Sequence, residues 1–302
     1  MPMEPSETDT FSDPIDARDI VKLFKRRHNV DVSRFFPSAK LSLTRVDPHG
    51  YYRFSPALPG DAEFYATLMR RQGYDADDKR EFVKAAEFIA STAAVLDVGC
   101  GPGRFSRYCK GLYKGIELNP NAVAEGQKLG RDIRLEHLDD QRELHYDVVS
   151  LFQVLEHVVE PEIFLSRAAL CVQPGGIIIV STPDMDGPMG HAVNQELNYP
   201  PHHLTWWSAD AMCSLLRAQG FEIVTVWREP LQRVHFHVLL KGLVNPRRQK
   251  HFDFSVKFYF KRAILSLVRH LIPSTWREIP FIGGHTVMVI ARRPSDLRWS
   301  KT

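Results

Sequence analysis

Short apolar runs alternate with amphipathic helical patterns between Ala94 and about Arg228. The runs read AVLDVGC, YKGIELN, IRLEHL, YDVVSLF, GGIIIVSTP and FEIVTVW, and a seventh, HTVMVIARR, follows a long interruption. Alternation of this kind is typical of parallel strands joined by crossover helices on both faces of a sheet. The pattern predicts an α/β fold with a doubly wound, mostly parallel sheet of seven strands, the last of them inserted antiparallel.

The chain before this region has a different pattern. Residues 1 to about 14 are polar and are expected to be disordered, whereas DPIDARDIVKLFKRRHNV places Ile20, Leu23 and Phe24 on one helical face. KLSLTRVDPHGYYRFSP alternates apolar and polar residues around an Asp-Pro-His-Gly turn, which indicates a β-hairpin. This helix and hairpin predict an N-terminal cap, and two amphipathic helices, DAEFYATLMRRQGY and DDKREFVKAAEFIAST, follow before the sheet begins.

Composition narrows the class of protein. The 302 residues are 44% hydrophobic and carry a formal net charge of +3, which is too small to indicate nucleic-acid binding. No apolar run reaches the roughly 18 residues of a membrane span, and the polar, acidic start lacks the order of a signal peptide, so we expect a cytoplasmic protein. The four cysteines are scattered, which predicts neither disulfides nor a metal site.

Three glycines stand within five residues directly after the first apolar run. In VLDVGCGPGRFS, Gly99, Gly101 and Gly103 follow a strand pattern, and RFSRYC is predicted to open a helix whose N–H groups face the loop. Ligands of open parallel sheets bind beyond the carboxyl ends of the strands. The loop therefore suits a ligand site, although the same glycines also suit a tight strand-to-helix turn that binds nothing.

Acidic residues accompany this loop at the ends of the strands. Glu117 ends the second strand, twenty residues after Asp97, where a carboxylate can accept hydrogen bonds from both hydroxyls of a ribose. Asp97 suits a cationic group better than a phosphate, and the loop lacks the G-x-G-x-x-G spacing of a pyrophosphate site. Asp139 or Asp140 either accepts from an adenine amino group or belongs to a solvated turn.

With these features the chain resembles the class I S-adenosylmethionine-dependent methyltransferases, in the subgroup that includes ubiquinone-biosynthesis O-methyltransferases. The matching segments are VLDVGCGPGRFS, GIELNP, YDVVSLFQVLEHVVEP and VQPGGIIIVSTP, in the family's order and spacing. The resemblance implies a Rossmann-like methyltransferase fold, S-adenosyl-L-methionine as the methyl donor and S-adenosyl-L-homocysteine as the product.

The resemblance also implies which residues bind the donor. The glycine loop meets the methionine part, the end of the second strand meets the ribose, an acid after the third strand lies near adenine, and three residues after the fourth strand lie beside the sulfonium. In chain order the implied contacts are Asp97, Gly99, Cys100, Gly101, Gly103, Glu117, Leu118, Asp139, Gln153, Val154 and Leu155.

Three histidines are candidates for a catalytic base. If the acceptor is a hydroxyl, removing its proton during transfer helps, and histidine titrates near neutral pH. In YPPHHLTWW we favour His203 over His202; alternatively one histidine bonds a backbone carbonyl while the two tryptophans pack on the sheet. His157 in LEHV either faces the donor or anchors its loop, and Glu156 is expected to cap that short helix rather than act in chemistry.

The segment before the last strand is basic and aromatic. Its cations are Lys241, Arg247, Arg248, Lys250, Lys257, Lys261, Arg262 and Arg269, against the single acid Asp253. From Arg262 to Ile272 polar and apolar residues occupy separate faces of a predicted helix, which favours either an anionic membrane surface or ordinary packing on the domain or on a second subunit. Residues 241–272 are thus a predicted peripheral membrane contact.

Aromatic residues of the hairpin and of a later loop offer an acceptor site. They are Tyr51, Tyr52, Phe54 and Tyr199. They line an aromatic or sugar pocket, or they form the core of the hairpin itself.

We therefore expect a methyltransferase that acts on a small-molecule or lipid-linked acceptor, at a hydroxyl oxygen, and does not bind nucleic acid; it is expected as a monomer or a homo-oligomer. The expected divisions are an N-terminal extension (1–78), a donor-binding core (79–230), a basic helical insertion (231–283) and the last strand with its tail (284–302). The alternatives are a catalytically inactive protein that binds the donor and serves as a partner, and a nicotinamide-dependent oxidoreductase.

Overall fold

The computed structural model describes residues 14–38, 40–69, 79–141, 146–243, 251–267 and 278–295. Of the first fourteen residues, which are predicted to be disordered, only Pro14 is described. The predicted continuation of the basic helix beyond residue 267 also lies outside the described residues. So do four of the basic positions, namely Arg247, Arg248, Lys250 and Arg269.

The described residues form eleven strands and nine α-helices. The strands are β1 (Ile15–Asp16), β2 (Lys40–Val46), β3 (Tyr51–Ser55), β4 (Val95–Val98), β5 (Tyr113–Ile116), β6 (Ile133–Arg134), β7 (Tyr146–Phe152), β8 (Val172–Pro183), β9 (Thr205–Trp206), β10 (Glu222–Gln232) and β11 (Glu278–Arg292). The helices are α1 (Ala17–His28), α2 (Ala62–Met69), α3 (Arg80–Ala86), α4 (Pro120–Lys128), α5 (Pro161–Cys171), α6 (Pro188–His191), α7 (Ala209–Ala218), α8 (Phe236–Leu243) and α9 (Val256–Leu267).

Seven strands form one sheet in the order β10-β11-β8-β7-β4-β5-β6. The pairs β4 with β5, β4 with β7, β5 with β6 and β7 with β8 are parallel. The backbone N–H of Gly175 bonds to the oxygen of Arg293 at 2.9 Å and that of Asp184 bonds to His285 at 2.8 Å, so β11 runs antiparallel to β8. The predicted seven-stranded, mostly parallel sheet is confirmed, including its antiparallel last strand.

The chain divides into two compact units. The core unit comprises residues 61–182, 212–227 and 288–302, and the appended unit comprises residues 1–60, 183–211 and 228–287. The four divisions expected from the sequence differ from these ranges and stay a prediction.

Apolar side chains on both faces of the sheet hold the core unit together. Phe82 of α3 packs edge to face on Phe152 of β7 at 4.9 Å between ring centroids, and Phe105 contacts Phe152 at 4.6 Å. All three rings are buried. Burying such a ring contributes about 2 kcal/mol each by area, with a further increment from edge-to-face geometry. The aromatic cluster thus fixes the residues that follow β4 and β7.

The appended unit is built on a second sheet, in the order β1-β2-β3-β9. Strands β2 and β3 pair antiparallel with Leu43 opposite Phe54, which confirms the predicted hairpin. Tyr51 stacks on Trp207 with centroids 4.4 Å apart, and both rings are buried. Phe54 and Tyr199 are buried as well. The hairpin aromatics thus form the core of this unit, the second of the two roles considered for them.

Helix α1 of the appended unit has clear end signals. The Asp16 side chain accepts from the N–H of Arg18 at its start, and Asn29 adopts the left-handed conformation at its end. The predicted apolar face, Ile20, Leu23 and Phe24, is buried. Among the described residues, we find no helix with the length and apolar character needed to cross a bilayer.

Candidate cofactor site

The glycine loop begins where the fully buried strand β4 ends. Gly99, Gly101 and Gly103 all have positive φ, at 66°, 54° and 70°. A Cβ on Gly99 would lie 2.7 Å from Cγ2 of Val154, closer than real side chains approach. Both features require glycine, so backbone geometry by itself accounts for these residues.

The helix predicted after the loop is a short 3₁₀ helix. Residues Arg104–Tyr108 form a 3₁₀ helix of five residues, and its N-cap, Gly103, provides no side chain. The hydroxyl of Ser106 donates to the oxygen of Gly103 at 2.7 Å, and the chain is extended again at Cys109. Strand β5 begins at Tyr113, so few residues separate it from the glycine loop, and the segment between them is too short for an α-helix of ordinary length.

Glu117 fixes the glycine loop from the end of β5. One carboxylate oxygen accepts from the backbone N–H of Gly101 at 2.9 Å, and the other accepts from the N–H groups of Leu118 and Asn119 at 2.8 Å each. A carboxylate offers about four acceptor positions, so three backbone bonds leave capacity for a hydroxyl. The predicted role of Glu117 in binding ribose stays a prediction, and the loop contact is a second role that the sequence did not reveal.

Asp97 lies inside the sheet between two hydroxyl donors. Ser150 donates to it at 2.7 Å and Tyr113 at 2.8 Å, and the side chain is buried. Burial raises the pKa of Asp97 to about 6, while the two hydrogen bonds and Lys79 oppose the rise. This carboxyl therefore exchanges its proton within the range of ordinary assay buffers.

Three further predicted contacts lie around the loop. The thiol of Cys100 donates to the oxygen of Gly101 at 3.4 Å, and burial raises its pKa. Leu118 is exposed. Asp139 sits in a 3₁₀ helix, where Arg167 pairs with it at 3.1 Å. Its predicted position near adenine stays a prediction.

The residues after β7 adopt a strained turn. Gln153 has φ +58°, a left-handed conformation that side chains rarely adopt, and its amide donates to a carboxylate oxygen of Glu81 at 3.2 Å. The hydroxyl of Ser181 donates to the same oxygen of Glu81. Leu155 is buried. Groups from three separate elements thus hold the Gln153 side chain, and no sequence signal indicates the contact between Glu81 and Ser181 because they are 100 residues apart.

Glu156 is buried, with 1% of its surface exposed. Apart from its own backbone N–H, no group among the described residues donates a hydrogen bond to its carboxyl, so the predicted helix-capping role is wrong. Burial and the nearby Glu81 raise its pKa to about 8, and Lys79 opposes the rise. Nε2 of His157 lies 3.9 Å from this carboxyl, and Nδ1 of His157 lies 3.4 Å from the Tyr65 hydroxyl.

His202 and His203 lie in the appended unit, where both are buried and stack with ring centroids 4.4 Å apart. Nδ1 of His202 lies 2.8 Å from the oxygen of Leu197. Because a carbonyl only accepts, Nδ1 carries a proton, and the neutral form of the ring would then have its lone pair on Nε2. One histidine thus bonds a backbone carbonyl, as considered from the sequence.

The two tryptophans that follow are anchored as well as packed. Nε1 of Trp206 donates to the oxygen of Asn198 at 2.6 Å, and Nε1 of Trp207 donates to the Thr205 hydroxyl at 2.9 Å. The hydroxyl of Ser208 accepts from the N–H of Ala211 at 3.1 Å and so caps α7.

The donor set at the ends of β4 and β5 has a definite chemical preference. Asp97 and Gly115 are register partners, as are Val98 and Ile116, so both strands end at the same edge of the sheet. Two carboxyl groups flank the glycine turn there. Carboxylates accept from hydroxyls and attract cations but repel phosphates, so these residues fit the ribose and cationic methionine part of S-adenosylmethionine.

A sequence profile described as a methyltransferase domain matches residues 68–226, more than half of the chain. The ubiquinone biosynthesis O-methyltransferase of Paraburkholderia phytofirmans is 31% identical over 157 residues, which covers 46% of this chain and 65% of that protein. The enzyme of the same name from Escherichia coli is 36% identical over 107 residues, 31% of this chain and 44% of that protein. The match thus spans less than two thirds of these curated relatives.

Comparison of structures gives the same fold. A protein from Archaeoglobus fulgidus, described as a SAM dependent methyltransferase, superposes with a TM-score of 0.51 at 16% identity, over 76% of this chain and all of that one. The order of the seven strands, the glycine turn with its two carboxyl groups and the profile match agree, and the chain belongs to the methyltransferase-domain family, with the fold of the S-adenosylmethionine-dependent enzymes.

Proposed function

We propose that this chain is an enzyme that transfers a methyl group from S-adenosylmethionine to a hydroxyl oxygen of a small-molecule or lipid-linked acceptor. The observation that carries the proposal is the turn at residues 99–103, held by the carboxylate of Glu117. The names of the curated relatives support oxygen as the atom methylated. The glycine spacing speaks against the alternative of a nicotinamide-dependent oxidoreductase.

The residues of this chain serve mainly to position the donor and the acceptor. When bound, the donor supplies a methyl group already activated on a sulfonium, so alignment and exclusion of water provide most of the rate enhancement. Glu117 accepts from the ribose while holding the loop, and ionised Asp97 attracts the cationic methionine part. The hydrogen bond from the Gln153 amide to Glu81 helps to keep the turn after β7 fixed.

We propose His203, and after it His202, as the base that takes the acceptor proton; His157 is the third candidate. Burial of the first two in a loop that includes the Pro200-Pro201 pair supports a fixed geometry. The fixed tautomer of His202 supports proton uptake at Nε2. Each histidine is replaced by glutamine in turn. The variant that lacks the base should transfer methyl groups at least tenfold more slowly, and its affinity for the donor should stay within twofold of the wild type.

The assay is transfer of a radiolabelled methyl group from S-adenosylmethionine to a panel of phenols and aliphatic alcohols, each tested with and without a hydrocarbon tail. Label found on an ether oxygen supports the proposal. Donor binding with no transfer to any acceptor class would favour the inactive, partner-like alternative. Label on nitrogen or carbon would contradict the assignment to oxygen.

We also propose that α9 contacts an anionic membrane surface. Four apolar side chains share one face of this helix and are strongly exposed: Val256 at 85%, Phe260 at 66%, Ile264 at 51% and Leu267 at 64%. Lys257 and Lys261 are exposed beside that face, where their ammonium groups meet lipid phosphates. An apolar stripe flanked by lysines is typical of a helix lying in the interface.

Vesicle sedimentation tests this contact. Vesicles containing phosphatidylglycerol should retain the protein at low salt and lose it at high salt, and a Phe260→Ser, Ile264→Ser variant should lose retention. Phosphatidylcholine vesicles are the control. Equal retention of the variant, or a dimer that covers the stripe in solution, would contradict the membrane contact.

A further inference from the structure

A cavity of about 610 Å³ lies within the appended unit, among α1, α8, α9 and the loop before β9. It is lined by Arg27, Gln195, Glu196, Leu197, Arg233, Phe236, His237, Leu240, Lys241, Arg262 and Ser266. Its size falls within the range of cavities that bind small ligands. None of these residues belongs to the candidate cofactor site.

The lining carries three arginines and one lysine against a single carboxylate. That carboxylate, Glu196, is engaged by Nη1 of Arg27 at 2.5 Å and by Nε2 of His28 at 2.8 Å. Arg233, Lys241 and Arg262 also line the cavity, so positively charged side chains outnumber negatively charged ones in its lining. An excess of this kind in a concave site favours an anionic ligand.

Lys241 shows the effect of this excess. Only 3% of its surface is exposed, and its ammonium donates to the side-chain oxygen of Gln195 at 2.5 Å. Burial lowers the pKa of Lys241 to about 7, the guanidinium groups of Arg27 and Arg262 lower it further in the same direction, and Glu196 opposes them. An anion in the cavity would offset both the burial and the repulsion, and so would hold Lys241 protonated.

Three residues of the lining are apolar. Phe236 and Leu240 project from α8, where they pack with Leu231 and Ile279, and Leu197 adds a third apolar wall. Cationic and apolar groups thus share one cavity. A free inorganic anion would use only the first of these two surfaces, whereas an anion attached to a hydrocarbon chain would use both.

We infer that this cavity binds a phosphate group carried on a hydrocarbon chain, with Arg262, Arg233 and Lys241 holding the phosphate and Phe236 and Leu240 contacting the first part of the chain. Arginine forms paired hydrogen bonds to phosphate oxygens, and Lys241 adds a point charge. The phosphate belongs either to a membrane phospholipid or to a lipid-linked molecule that enters singly. This binding is independent of methyl transfer.

Calorimetric titration of the full chain with decyl phosphate tests the inference, with inorganic phosphate and decanol as partial ligands. The variants are Arg262→Gln and Lys241→Met, and the matched control is Lys25→Gln, an exposed cation on α1 that does not line the cavity. Decyl phosphate should bind at least tenfold more tightly than either partial ligand. Both cavity variants should bind decyl phosphate at least tenfold more weakly than the wild type, and the affinity of the control variant should stay within twofold.

The inference is wrong if decanol binds as tightly as decyl phosphate, or if the folded protein does not bind decyl phosphate. It is also wrong if the cavity variants and the control variant lose the same amount of affinity. Vesicles containing phosphatidic acid distinguish the two sources. If Arg262→Gln abolishes binding of the protein to these vesicles, the phosphate belongs to a membrane phospholipid. If the variant loses only the binding of decyl phosphate, the phosphate belongs to a single lipid-linked molecule. Donor affinity, measured in the same variants, should not change.

Discussion

Replacing Glu156 with glutamine should change how the stability of the protein depends on pH. The carboxyl is buried, and its pKa is raised from 4.5 to about 8 by burial first and by Glu81 second. Lys79 opposes the shift, and His157, at 3.9 Å, and Tyr65 are further titratable groups near this carboxyl in the core unit. Glutamine keeps the shape of the side chain and removes its proton exchange.

The sign and size follow from the two pKa values. Between about pH 4.5 and 8 the folded protein keeps the Glu156 proton while the unfolded chain has lost it, so stability falls as pH rises. Each pH unit in this window costs about 1.4 kcal/mol. Because the slope is partial near both ends, the wild type should lose about 3 kcal/mol between pH 5 and 8 relative to Glu156→Gln.

Urea unfolding at pH 5, 6, 7 and 8, followed by tryptophan fluorescence, measures this difference. The matched control is Glu160→Gln, which removes an exposed carboxylate four residues further along. The control should follow the wild type at every pH. A free-energy difference between wild type and Glu156→Gln that stays constant from pH 5 to 8 would refute the argument that the folded protein holds this proton.

Three other perturbations test the cofactor site. Glu117→Ala removes the bond to Gly101 and the proposed ribose acceptor, so affinity for S-adenosylmethionine should fall at least tenfold by calorimetry; unchanged affinity in a folded variant would exclude the ribose role. Gly99 and Gly130 both have positive φ, but an added Cβ would lie 2.7 Å from Val154 at Gly99 and in open space at Gly130. Gly99→Ala should therefore lower the free energy of unfolding by about 2 kcal/mol more than Gly130→Ala. Donor affinity should fall below about pH 6 as Asp97 gains its proton, and at a higher pH in Tyr113→Phe, which loses a hydrogen bond to the ionised form; an affinity that is flat from pH 5 to 8 would contradict this.

Local patterns predicted the elements whose cause is local. The apolar runs predicted all seven strands of the core sheet. The signal is clearest for β4, β7 and β8, because a strand buried on both faces needs a continuous apolar run. The helix face Ile20, Leu23 and Phe24 is buried as its spacing predicted. The glycines after β4 were recognisable because a turn with three positive φ values excludes nearly every other residue.

Features that depend on distant partners could not be predicted. Glu81 meets Ser181 100 residues further along the chain, and Arg27 meets Glu196 169 residues away. Neither pair leaves a periodic signal, since each residue alone is typical of a solvated helix or loop. The cationic cavity likewise needs α1, α8 and α9 together, although the sequence did show that the segment around Lys241 and Arg262 is basic.

Calorimetric titration of the purified protein with S-adenosylmethionine and S-adenosylhomocysteine, with the nicotinamide dinucleotides as controls, tests the central claim most directly. We expect binding of both sulfur compounds and of neither dinucleotide, weakened at least tenfold by Glu117→Ala. If the folded protein binds none of them, residues 99–103 are a structural turn alone, and the proposed methyl transfer is wrong.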